Sequence, residues 1–172
     1  LADVFPGARI LESGVGSGAL SMTLLRAGAE IVGYELREDF AARAQANVRD
    51  FLGEEAFSRY RVELRDCYEG IDETDLDRIV LDLPEPWQVV PHAIEALRPG
   101  GIIVAYTPSV IQVSQLRQDL DHAGFFSTET VEVRGLGIDT WVVLRQGRRL
   151  VARHDAYPKS TVPLEMAGTG QP

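Results

Sequence analysis

Four carboxylates in this chain stand where an apolar run gives way to a turn. Residues 80–87 read VLDLPEPW, a buried-looking strand that ends in Asp82, two prolines bracketing Glu85, and Trp87. Glu12 precedes a glycine-rich turn in LESGVGSGAL (11–20), Glu35 closes EIVGYEL (30–36), and Asp66 follows YRVEL (60–64). Acids at such points serve as acceptors for hydroxyls, amines and cations. Gly14, Gly16 and Gly18 form a G-x-G-x-G turn, which suits a backbone at positive φ or one that a ligand must approach closely. Gly14-x-Gly16-x-x-Ala19 also satisfies a dinucleotide fingerprint, with Glu35 about 20 residues on. Glu12 separates the two readings. A carboxylate just ahead of the glycines accepts from an ammonium, as in S-adenosylmethionine, and faces a pyrophosphate badly.

On the methyl-donor reading each acid has a task. Glu35 accepts from two ribose hydroxyls, and Asp66 from an adenine amino group, with Cys67 and Ile71 near the ring. Asp82 lies beside the transferring methyl and accepts from an exocyclic amine of the acceptor base. That orients the ring nitrogen and offsets the charge building on it. Pro84 and Pro86 fix the backbone around it. Trp87 or Tyr106 offers a flat face for a base taken out of its pairing. For each acid the plainer reading is a helix cap or a solvated loop, and for Trp87 a core anchor.

The elements that must position these residues alternate in type. Strands are expected over 8–13, 30–36, 60–64, 77–83 and 101–107, with helices over 19–27, 39–51, 87–97 and 110–123 between them. This alternation implies parallel pairing through right-handed crossovers. The segments 126–133 and 140–145 are joined only by RGLGID, too short for a crossover helix, so they read as an antiparallel hairpin. The fold class is therefore α/β: a Rossmann-like, mostly parallel seven-stranded sheet with a C-terminal antiparallel hairpin and helices on both faces. Residues 1–150 form the catalytic domain and 151–172 a loosely held tail.

Composition narrows the function. The chain has 172 residues, 45% apolar and 25% charged, which suits one globular domain. No apolar run reaches the length of a membrane helix. The single cysteine, Cys67, excludes an internal disulfide framework and fits a cytoplasmic setting. His92, His122 and His154 match no metal-ligand spacing, and no metal is expected. A net charge of −9 disfavours a whole-surface nucleic-acid binder. The stretch 145–159 is locally basic, and Arg145, Arg148, Arg149 and Arg153 are the candidate phosphate contacts, with Lys159 beyond them. The chain begins at Leu1, close ahead of its first strand, so an N-terminal portion is expected to be missing.

The motifs resemble those of the tRNA (adenine-N1)-methyltransferases that act on adenine 58 of the T-loop. ILESGVGSGALS is similar to the family's cofactor turn, and YELRED followed by AQANV to its ribose-binding strand and helix. DRIVLDLPEPW resembles its acceptor-side motif, and VAYTPSVIQVSQL its fifth strand and following helix, with Tyr106, Pro108 and Gln112 in place. The resemblance implies S-adenosylmethionine held by Gly16, Ser17, Gly18, Ala19, Leu20, Glu35, Asp66 and Asp82. It also implies tRNA as substrate, a homotetramer, and a small N-terminal β domain that is expected to be missing from this chain. Phe40 stands where the family has a histidine near the adenosine, and Ile138-Asp139 replaces another histidine ahead of the last strand. Competing readings are methyl transfer to a small molecule or protein, a non-catalytic nucleotide-binding subunit, and a dehydrogenase.

Overall fold

A computed structural model describes residues 2–134 and 140–148. Seven strands form one sheet in the order β3-β2-β1-β4-β5-β7-β6. They are β1 (Arg9–Ser13), β2 (Glu30–Glu35), β3 (Tyr60–Leu64), β4 (Leu76–Leu81), β5 (Leu97–Thr107), β6 (Phe125–Arg134) and β7 (Thr140–Arg148). The first five pair in parallel, and β7 runs antiparallel between β5 and β6. The expected order of elements and the terminal hairpin are both present.

The helices divide between the two faces. Helices α1 (Ala19–Arg26) and α2 (Glu38–Phe57) cover one side through Leu24, Leu25, Ala44 and Val48, against Ile10, Ile31 and Val80 of the sheet. Helices α3 (Val90–Ala96) and α4 (Val110–His122) cover the other through Val90, Ala93, Leu116 and Leu120, against Leu11, Ile79, Leu81 and Ile103. Strand residues alternate between the two clusters, as a period of two requires. Each fully buried Leu or Ile contributes about 1.5–3 kcal/mol of transfer free energy.

Two boundaries differ from expectation for local reasons. Helix α2 breaks at Gly53 (φ 77°, ψ 176°) as its sequence demands, then resumes for one turn to Phe57. The helix expected from Trp87 begins instead as a 3₁₀ turn, Pro86–Val89: Pro91 has no amide to donate to the Trp87 carbonyl as an α-helix requires, and Val90 N–H bonds it instead.

The chain leaves β1 toward β2 and β3 on one side, then returns to lay β4 on the other. The order reverses between β1 and β4, and the crevice beyond their carboxyl ends is where open α/β sheets hold ligands. Ser13 and Asp82 flank that crevice, joined by the Asp82 amide donating to the Ser13 carbonyl at 2.9 Å.

Candidate functional site

The glycine turn follows β1 directly. Gly14, Gly16 and Gly18 all adopt positive φ, at 88°, 56° and 79°. They do so for different reasons. A Cβ on Gly14 would lie 2.2 Å from the Asp82 carbonyl oxygen, so β4's exit loop packs on it. A Cβ on Gly18, which starts α1, would press on Ala44 of α2 at 3.2 Å. Gly16 has open space where its Cβ would be. Of the three, Gly14 borders the cavity described next, and Gly16 is the one with free room beside its Cα.

Glu35 is already oriented for that room. One carboxylate oxygen accepts from Gly16 N–H at 3.0 Å and the other from Arg37 N–H, also at 3.0 Å. A carboxylate has about four lone-pair sites, so two remain to accept hydroxyls without any rotation. Glu35 borders a cavity of about 200 Å³ with Gly14, Leu36, Asp66, Cys67 and Tyr68. Asp66 Oδ1 accepts from Tyr68 N–H at 2.8 Å, which fixes the carboxylate beside Cys67. The Cys67 thiol is buried and pushed up to about 11 by desolvation, so at neutral pH it is an apolar wall and not a nucleophile. A polar rim of Glu35 and Asp66 over Leu36 and Cys67 suits an adenosine. The residues present therefore fit the adenosine end of a methyl donor.

Asp82 lies on the other side of the same wall. It is exposed, and partial desolvation holds its carboxyl above the ordinary range. With Leu83, Pro84, Tyr106 and Gln112 it borders a second cavity, about 340 Å³. Leu83 and Pro84 line both cavities, so the LPEP corner is their common partition. A third cavity, apolar and about 350 Å³, also touches Asp82 and Tyr106 and is walled by Leu20, Leu24 and Val104.

Several expected site residues sit elsewhere. Ser17 is exposed on the turn and Ala19 at the start of α1, and Asn47 of α2 donates to the Ser17 carbonyl at 2.9 Å. Leu20 lines the apolar cavity. Phe40 is capped by two guanidinium groups, Arg37 at 3.9 Å and Arg43 at 5.7 Å from its ring centre, and borders none of the three cavities. Trp87 packs against the core cluster under α3 and borders none of them either. Ile71 packs on that same cluster. Arg145 and Arg148 fall on β7. Arg149, Arg153, Lys159, the pair Ile138-Asp139 and the tail 151–172 lie outside the described residues.

Glu12 is buried in the interior. It is 1% exposed, with one oxygen accepting from Ser21 Oγ at 2.6 Å and the other, Oε1, buried without a hydrogen-bond partner. Ser21 Oγ also lies 3.1 Å from the Tyr60 hydroxyl. Desolvation, opposed by the Ser21 hydrogen bond and reinforced by Asp82's charge, pushes the Glu12 carboxyl from 4.5 up to about 7. The native state thus holds a proton that the unfolded chain releases, so stability falls as pH rises from about 4.5 to about 7. At about 1.4 kcal/mol per pH unit, the loss is on the order of 3 kcal/mol. Urea unfolding at pH 5 and pH 8 should show Glu12→Gln losing less stability between the two than wild type, by roughly that amount. Equal losses in the two proteins would show that Glu12 is ionised in the fold.

Tyr68 and Gln112 carry more of the site than the sequence indicated. Tyr68 reaches from the β3 exit to the LPEP corner, where its hydroxyl accepts from Glu85 N–H at 3.0 Å. His92 Nε2 lies 3.0 Å from the Tyr68 carbonyl, which calls for the Nε2–H tautomer. The sequence signal was an aromatic directly after the Asp66-Cys67 pair. Such a signal is weak without knowing which loop it meets.

Comparison with known proteins gives this geometry a lineage. The profile of the family described as "tRNA methyltransferase complex GCD14 subunit" matches residues 2–154. The chain belongs to that family. A tRNA (adenine(58)-N(1))-methyltransferase, TrmI, of Thermus thermophilus is 37% identical over 136 residues, covering 77% of this chain and 52% of the relative. A tRNA (adenine(57)-N(1)/adenine(58)-N(1))-methyltransferase of Methanocaldococcus jannaschii is 34% identical over 158 residues, covering 77% of this chain and 56% of that one. The chain thus spans about half the length of these relatives. Among solved structures, TrmI from Aquifex aeolicus superposes with a TM-score of 0.74 at 20% identity, covering 86% of this chain and 65% of that one. A SAM-dependent O-methyltransferase of Thermotoga maritima gives 0.73 at 28%, covering 90% and 63%. These likenesses bear out the Rossmann-like methyltransferase fold and the family read from the motifs. Membership sets aside the dehydrogenase reading of the glycine turn. Among the described residues no helix is long and apolar enough to cross a membrane, and no group of three His, Cys, Asp or Glu side chains could hold a metal ion.

Proposed function

We propose that this chain is the catalytic domain of an S-adenosylmethionine-dependent methyltransferase that modifies N1 of adenine 58 in tRNA. The observation that carries the reading is the partition. A cavity bordered by the acids Glu35 and Asp66 and a second cavity bordered by Asp82 share Leu83 and Pro84. The printed activities of the Thermus and Methanocaldococcus relatives support the same acceptor.

When bound, S-adenosylmethionine supplies an electrophilic methyl group; everything else is positioning by this chain. Glu35 takes the ribose hydroxyls and Asp66 the adenine amine, while Gly16 leaves room for the backbone approach. Asp82 accepts from the target base's exocyclic amine, and its charge offsets the positive charge developing on the ring. Tyr106, at the border of the acceptor cavity, offers a ring for the extruded base. Homotetramer assembly and a cytoplasmic setting belong to the same proposal, on the family resemblance.

The test is a calorimetric titration of S-adenosylmethionine into the chain, followed by methylation of an unmodified tRNA transcript and nucleoside analysis. The expected result is 1:1 binding and 1-methyladenosine confined to position 58. Binding with methyl transfer only to small molecules or proteins would overturn the acceptor, and absence of binding would overturn the whole reading.

A further inference from the structure

The corner between the two cavities is held by one peptide plane, gripped at both ends. Pro84 and Pro86 lack amide hydrogens, so Glu85 carries the only backbone donor across 84–86. That donor bonds the Tyr68 hydroxyl at 3.0 Å, and Tyr68 borders the cofactor-side cavity. The other end of the same peptide, the Pro84 carbonyl, accepts from Gln112 Nε2 at 2.8 Å, and Gln112 borders the acceptor-side cavity. Tyr68 is in turn tied to Asp66 by its amide, at 2.8 Å. An unbroken line of hydrogen bonds therefore runs from an acid of the cofactor cavity, across the partition, to the first turn of α4.

Gln112 occupies this place at a cost. Its Oε1 is buried without a partner, one of three such side-chain atoms among the described residues. A buried acceptor left unsatisfied is unfavourable, and in a site it calls for an explanation beyond packing. Turning the amide over would satisfy nothing, since the Pro84 carbonyl needs a donor. The amide is thus kept in the orientation that fixes the peptide.

We propose that Gln112 is a positioning residue that couples the two cavities. Through the Pro84–Glu85 peptide it sets the LPEP corner from the acceptor side, while Tyr68 sets the same peptide from the cofactor side. Events in either cavity then move one rigid plane, two residues beyond Asp82. The coupling between cofactor and acceptor rests on the function proposed above; the clamp itself does not.

The experiment is amide hydrogen exchange of Glu85, followed by NMR in the ligand-free chain, together with S-adenosylmethionine titrations. Variants are Tyr68→Phe, Gln112→Leu, Gln112→Asn and, as a control, Ile111→Ala on the exposed face of the same turn. Tyr68→Phe and both Gln112 variants should speed Glu85 exchange by about tenfold or more, with the thermal midpoint essentially unchanged and Ile111→Ala without effect. Gln112→Leu should also weaken S-adenosylmethionine binding by roughly three- to tenfold, although Gln112 does not border that cavity. Gln112→Asn, whose amide stops one carbon short, must share the acceleration. Wild-type exchange and affinity in the two Gln112 variants would overturn the proposal. A wild-type chain that binds no S-adenosylmethionine would count against the proposed function alone, because the ligand-free exchange still decides the clamp.

Discussion

Replacing Asp82 by alanine should reduce methyl transfer by roughly 10²–10³-fold in kcat while leaving S-adenosylmethionine binding within about tenfold of wild type. The asymmetry follows from where the carboxylate sits. Glu35, Asp66 and Leu36 border the cofactor-side cavity and Asp82 does not. Asp82 borders the acceptor-side cavity and is exposed there. On the proposed function, removing it deletes the acceptor that aligns the base and the negative charge that meets the charge building on it. Both matter more in the transition state than in the ground state. Asp82→Asn should fall between, since an amide oxygen still accepts but carries no charge. The carboxyl's raised pKa gives a second signature. Activity needs the ionised form, so the wild-type rate should decline on acidification at a pH above that expected of an ordinary aspartate. Equal losses of binding and kcat in Asp82→Ala would relocate the residue to the cofactor. An unchanged kcat would remove it from the chemistry.

Much of the fold was legible because its signals are local. Apolar runs such as Ile79-Val80-Leu81 read as buried strands, and a six-residue link between 133 and 140 leaves no room for a crossover helix. Parallel pairing of the first five strands followed from right-handed crossovers, whereas their order across the sheet came only with the structure. The site was legible only to the level of strand ends. Glu12, Glu35, Asp66 and Asp82 were all placed there correctly, yet Glu12 points into the protein toward Ser21 and Tyr60, which its position in the chain does not reveal. Phe40 and Trp87 had suitable chemistry, but the structure covers one with Arg37 and Arg43 and seats the other on the core. Tyr68 and Gln112 meet at Pro84–Glu85 across 17 and 28 residues of sequence. Long-range bonds of this kind leave no periodicity to read.

The glycine turn makes the sharpest division between structure and ligand, and its first and middle glycines predict opposite behaviour. Gly14→Ala should destabilise the fold by about 3 kcal/mol or more, combining overpacking with a left-handed backbone that alanine resists. The new methyl would meet the Asp82 carbonyl oxygen at 2.2 Å and its carbon at 3.0 Å, both backbone atoms with no rotamer to give way. Neither strand end can retreat freely, since Gly14 N–H donates to the Tyr34 carbonyl at 3.2 Å and Asp82 N–H to that of Ser13 at 2.9 Å. Whatever protein folds must carry Asp82 displaced, so methyl transfer should suffer more than S-adenosylmethionine binding. Gly16→Ala has φ 56° and open space ahead of it, so its cost to stability is conformational only, about 1 kcal/mol. Its methyl would project into open space beside Glu35, which bonds the Gly16 amide; on the proposed function the cofactor lies there, and binding should weaken by roughly tenfold or more in a protein that remains folded. Urea unfolding and a cofactor titration on both variants decide the matter. If Gly14→Ala folds as well as Gly16→Ala, the contact with Asp82 is not what requires glycine there. If Gly16→Ala binds S-adenosylmethionine normally, the turn holds its ligand somewhere other than at its middle glycine.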